Sequence, residues 1–146
     1  MKGSQKITRI HLSVDDQDKP AVFGLVTTDP DYKISLKLNR KFALSLRNGD
    51  PAAADDTENA GMQFSRFIDY SGAPDILFCL VSNRTGKNFL FKQLRNIDFL
   101  FLVHDPYGGM PSSDLARKLR EIESVTAVFE LDPGTLKEKN INLLLH

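Results

Sequence analysis

The chain has 146 residues, 41% of them hydrophobic, with 19 basic side chains, 19 acidic ones and a single cysteine. That length suits one domain with its own core, and one cysteine excludes both a disulfide framework and a multi-cysteine metal site. Charge is even along the chain, with 10 residues of each sign in 1–70 and 9 of each in 71–146, so neither half is a basic arm or an acidic tail.

The start, MKGSQKITRIHLSVDDQDK, contains no apolar stretch of signal-peptide length. The longest apolar run, Phe99 to Val103, is five residues, far short of a membrane span. The expectation is a cytoplasmic protein with no membrane contact.

Residues 7–14, ITRIHLSV, place Ile10, Leu12 and Val14 on one side and predict a strand; Asp15 to Lys19 is a charged turn. Residues 21–27, AVFGLVT, predict a more buried strand. The next stretch, DPDYKISLKLNRKFAL, alternates from Tyr32 to Leu38 as a strand would. Wound as a helix, it stacks Ile34, Leu38 and Phe42, flanked by Leu36 and Tyr32. The same winding gathers Lys33, Lys37, Arg40 and Lys41 on one polar arc. The strand pattern fails after Leu38, so a helix is expected, with Asp29 as its cap and Pro30 at the first helical position.

Residues 47–61, RNGDPAAADDTENAG, lack bulky apolar side chains and predict a polar, exposed loop at about 48–61. MQFSRFIDY (62–70) and DILFCLVS (75–82) flank a Gly-Pro turn and predict a hairpin. Cys79 sits in the apolar ILFCLV and reads as a small core residue. NRTGKN is a further turn, and its Asn83-Arg84-Thr85 matches a glycosylation acceptor only on a secretory route. Residues 97–104 predict a central strand, with Ile97, Phe99, Phe101 and Val103 on one face and Asp98, Leu100, Leu102 and His104 on the other. DPYGGMPSSD is a loop ending in a cap, Ser112 or Ser113. The helix after it runs to about Ser124 with Leu115, Leu119 and Ile122 inward. VTAVFEL (125–131) is a last strand, followed by a short helix opening at DPGTLKEK and the apolar tail INLLLH. The order predicts a single α+β domain over 1–146. Its core is a mainly antiparallel sheet of five to six strands with two principal helices on one face.

The stretch FKQLRNIDF, Phe91 to Phe99, resembles the nine-residue signature of the IPExxxVDY family, small proteins of Bacteroidetes. Ile97, Asp98 and Phe99 stand at the Val-Asp-Tyr positions, and Phe91, Lys92 and Gln93 at the Ile-Pro-Glu positions. VFGLVTTDPDYKISLKLNRKF, LFCLVSNRTG and ESVTAVFELDPGTLKEKNINLLL are also similar to that family. The resemblance implies an architecture and a bacterial cytoplasmic setting, and brings no catalytic residues to carry over. The signature proline and glutamate are replaced by Lys92 and Gln93, so any chemistry of that glutamate is closed to this chain.

Asp98 is the lone carboxylate in an apolar run. It is expected to anchor structure, accepting backbone N–H groups or pairing with Arg95 or Arg66. His104 lies on the same strand face but six residues on, about 20 Å at strand rise, too far for an acid–base pair. His11, His104 and His146 are scattered, so no metal set is expected, and no cofactor motif or catalytic set stands out. The candidate interaction or anion contacts are Lys33, Lys37, Arg40, Lys41, Lys92 and Arg95. Together they would meet phosphates without reading sequence. His104, Asp105 and Tyr107 form a candidate pocket rim. Phe64, Phe67, Tyr70, Phe78, Phe99 and Phe101 would make a stacking platform on an open sheet face, or ordinary core. The expected function is a non-catalytic interaction or homo-oligomeric module, a homodimer if one sheet face lacks cover. The alternatives are a nucleic-acid-binding accessory domain, or a small enzyme whose groups meet only in space.

Overall fold

The computed structural model describes residues 20–53, 62–72 and 76–132. The strand predicted over 7–14, residues 54–61 of the loop, the short C-terminal helix, the tail, His11 and His146 lie outside the described residues. The elements, in order, are β1 (Ala21–Thr27), α1 (Asp31–Phe42), β2 (Arg47–Asn48), β3 (Ala52–Ala53), β4 (Gln63–Phe64), β5 (Arg66–Asp69), β6 (Leu77–Ser82), β7 (Arg84–Thr85) and β8 (Asn88–Phe89). A 3-10 turn (Lys92–Leu94), β9 (Phe99–His104), α2 (Ser112–Arg120) and β10 (Val125–Leu131) follow.

Six strands form one antiparallel sheet in the order β10-β1-β9-β6-β5-β2. The fold is therefore α+β with a mainly antiparallel sheet. Among the described residues the sixth strand is β2, drawn from a segment expected to be loop. Its two residues carry no apolar pattern, and only their pairing with Phe67 and Ile68 of β5 makes them a strand. The predicted β5–β6 hairpin is present, in the register Arg66 with Val81 to Asp69 with Phe78.

Strand alternation splits the core into two layers. Phe23, Leu25, Phe78, Leu80, Phe99, Phe101 and Val103 face Ile34 and Leu38 of α1 and Leu115 and Leu119 of α2. Both helices thus cover one face, with Phe42 and Phe78 against the ring of Phe101. The opposite face offers Val22, Cys79, Val81, Leu100 and Leu102, packed with Ala52, Phe64, Phe91 and Ile97. That face was expected to lie open. Instead β3, β4 and the turn ahead of β9 lie over it, and all of these residues are buried. The aromatic platform is likewise ruled out. Phe67, Phe78, Phe99 and Phe101 lie under the helices, Phe64 is in the second layer, and only Tyr70 is exposed.

Three local expectations are corrected. Ile97 does not continue the alternation of β9; its N–H bonds Leu94 O within the turn, and its side chain joins the second layer. The loop predicted at 48–61 is not wholly exposed, since Ala52 is buried and pairs with Phe64. The cap positions are Pro30 and Pro111, neither with a side-chain cap, so Asp29, Ser112 and Ser113 do not serve as caps. Proline's fixed φ suits these positions, and its carbonyl still takes the first intrahelical bonds, from Lys33 and Ile34 in α1.

Helix α1 stops at Ala43, which is left-handed at φ 55° and ψ 50°, with Leu44 N–H closing onto Asn39 O at 2.9 Å. Glycine is the residue this position favours, because a Cβ crowds the backbone there. Ala43 is exposed. Ala43→Gly should therefore raise stability by about 0.5–1 kcal/mol. A shift of the urea midpoint to higher concentration would show it.

Candidate functional site

The ends of β1 and β6 and the start of β9 meet at one rim of the sheet. Thr27, Thr28, Asp29, Ser82, Arg84, Asp98 and Phe99 line a cleft of about 500 Å³ there. Asp98 stands at its base, just before β9. Its Oδ2 accepts the Thr27 N–H at 3.0 Å, its Oδ1 faces Arg84 Nε at 3.1 Å, and its own N–H bonds Leu25 O. The carboxylate thus accepts one backbone N–H and faces one guanidinium, which comes from Arg84 and not from Arg95 or Arg66. Arg84 is also held by Arg95 O, 3.4 Å from its Nη2, and by the Phe89 ring, 5.3 Å from its centroid. On the other side of the cleft, Asp29 accepts Lys37 Nζ at 2.7 Å. In both ion pairs the carboxylate is the inner partner: Asp98 is 18% exposed against 51% for Arg84, and Asp29 9% against 30% for Lys37.

Behind the cleft, the excursion from Asn83 to Asp98 is fastened by one side chain. Asn83 is fully buried. Its Nδ2 donates to Leu94 O at 2.8 Å and to Ile97 O at 3.0 Å, and its Oδ1 accepts the Phe91 N–H at 2.9 Å. Its backbone adds bonds to Asp98 O and from Leu90 N–H. The amide of the apparent glycosylation acceptor is thus committed inside the fold. Sequence reading missed Asn83, because an asparagine in NRTGKN looks like a solvated turn residue.

The other candidates are dispersed. Of the basic arc, Lys37 is paired with Asp29 and Lys41 with Glu121 Oε1 at 2.7 Å. Lys92 and Arg95 belong to the turn whose Phe91, Leu94 and Ile97 cover the second face, while α1 covers the first. The sheet lies between, so the six cations do not form one patch. Asp105, Pro106, Tyr107 and Gly108 line a recess of about 260 Å³, but Asp105 Oδ2 accepts Met110 N–H at 2.8 Å and Gly108 N–H bonds Asp105 O. The carboxylate organises its own turn, and His104 does not line the recess.

A third cleft, about 570 Å³, lies at the β2–β5 edge between Ser45, Arg47, Asp69 and Tyr70. The buried Asp69 accepts Ser45 N–H at 2.9 Å, Ser71 N–H at 2.8 Å and the Ser71 hydroxyl at 2.6 Å. Burial opposes its ionisation, yet the Ser71 hydroxyl, the two N–H groups and Arg47 outweigh it and lower its pKa from 3.8. The Lys37 ammonium likewise holds Asp29 below 3.8. A carboxyl with a depressed folded-state pKa adds stability above its unfolded value and loses it as pH falls through the folded one. Urea midpoints should therefore fall as pH drops below about 4. Asp69→Asn should be less stable than wild type at pH 7 yet lose less between pH 5 and pH 3; parallel losses in the two proteins would contradict this.

Burial pushes the Cys79 thiol up to about 12, so it is not poised as a nucleophile. Among the described residues no three His, Cys, Asp or Glu side chains group as a metal site, and no helix is long and apolar enough to cross a membrane. Comparison with family models, curated proteins and solved structures found no match.

Proposed function

We propose that the chain is a non-catalytic interaction module that pairs with a second copy of itself through the outer face of α1. The observation that carries this reading is the exposure of Tyr32 (62%) and Leu36 (51%), one helical turn apart, where the sequence pattern had placed them beside the core stripe. A two-fold axis at Leu36 sets that leucine against its copy and brings Tyr32 opposite the exposed Arg40 of the second chain. Both lie four residues from the centre, so the face is self-complementary, with a cation over a ring at each end. The sheet face first considered for this role is occupied by the chain's own turn. The nucleic-acid alternative loses support because Lys37 and Lys41 spend their charge on Asp29 and Glu121.

The same reading keeps two proposals from the sequence, membership of the IPExxxVDY family and a bacterial cytoplasmic setting. The supporting observation is that the signature stretch does structural work here. Phe91 and Ile97 bury themselves on the second face and Asp98 pins the end of β1. Light scattering across a concentration series tests the dimer: twice the chain mass of 16.4 kDa is expected, with Leu36→Glu reduced to the single mass. A wild-type mass of 16.4 kDa at high micromolar concentration would end it.

A further inference from the structure

We infer that the cleft between Thr28, Ser82, Arg84 and Phe99 binds a small oxyanion, a phosphate or a carboxylate group, on the guanidinium of Arg84. The cleft of about 500 Å³ is of a size that admits a small molecule. Arg84 is fixed before any ligand arrives: Asp98 holds Nε, Arg95 O takes Nη2 and the Phe89 ring supports its face. Among the described residues none accepts from Nη1, and the side chain is half exposed. An arginine immobilised on three sides loses little conformational freedom when its remaining edge takes a forked acceptor.

The two carboxylates nearby do not cancel this. Both line the cleft, whereas Lys37 does not, but each is ion-paired, Asp98 with Arg84 and Asp29 with Lys37, and each is less exposed than its cation, so Arg84 is the more exposed charge of its pair. The Thr28 side chain, exposed on the cleft wall, adds a hydroxyl donor with no protein partner among the described residues. Charge-assisted bonds to phosphate or carboxylate are the ones this donor set makes best.

The test is an amide NMR titration of the full chain with inorganic phosphate and, separately, succinate, with chloride holding ionic strength constant. Saturable shifts at the Thr28 and Arg84 amides and at Arg84 Nε–H are expected, with a millimolar dissociation constant, in at least one arm. The arm that saturates identifies phosphate or carboxylate. Arg84→Gln should weaken binding at least tenfold, while Arg117→Gln, exposed on α2 and paired with Asp114 and Glu121, should leave it unchanged. If Arg84→Gln gives no folded spectrum, Arg84→Lys keeps a cation over Phe89 without the fork and should weaken binding at least fivefold. Shifts that stay linear in both arms, or saturation unchanged in the Arg84 variant, would overturn the assignment.

Discussion

Asn83→Ala is expected to cost about 2–5 kcal/mol of folding stability, because it strands one buried carbonyl and one buried N–H at about 1–3 kcal/mol each and takes one of two donors from a further carbonyl. The stranded groups are Ile97 O and Phe91 N–H, while the part-buried Leu94 O keeps the Ile97 N–H. Their costs do not simply add, since the turn between Leu90 and Ile97 relaxes once released. Asn83→Asp should be worse although it keeps the shape. Its carboxylate can still accept from Phe91, but it faces two carbonyl oxygens at the distances the amide now spans, with water excluded. Against a total of about 5–15 kcal/mol for a domain of this kind, the aspartate variant should lose its cooperative transition at neutral pH. Urea melts read this directly. An alanine variant within about 0.5 kcal/mol of wild type would mean that the turn is held by its apolar side chains alone.

The contrast between Asn83 and the strands shows what the sequence makes legible. AVFGLVT and VTAVFEL are bounded by turn residues, and both strands run as predicted, Ala21–Thr27 and Val125–Leu131. Helix α1 was legible because only one winding separates its apolar from its charged residues. That winding did not fix how wide the buried stripe is. Ile34 and Leu38 are buried, while Tyr32 and Leu36 are exposed beside them. Pairings between distant residues leave no periodic trace. Asp98 was recognisable as an anchor because a carboxylate in an apolar run needs donors, but nothing in the pattern chose Arg84, fourteen residues earlier, over nearby Arg95. The β2 edge is invisible for a related reason: its identity lies in hydrogen bonds to β5, which two polar residues cannot announce.

Gly24→Ala should cost about 1–3 kcal/mol, the ordinary cost of overpacking a filled core. Gly24 sits mid-strand in β1, paired to Phe129 on one side and Leu100 on the other. Its missing side chain is the space into which Ile97 settles. A Cβ there would collide with Ile97 Cδ1 and stand 3.0 Å from Cγ1 and 3.2 Å from Cγ2. Turning χ2 moves only the first of these atoms. Ile97 is buried among Leu100, Phe91 and Val22, so the root of the side chain has little room to retreat. The strain would pass to the turn that Asn83 holds. Ile97→Ala alone should cost about 2–5 kcal/mol by emptying that space. In the double variant the new Cβ at position 24 no longer meets Ile97 and fills part of the cavity. Its loss should therefore fall short of the sum of the single losses by at least about 1 kcal/mol. Strict additivity in urea melts would show that the glycine and the isoleucine do not share one space, and that the second face closes by some contact other than this one.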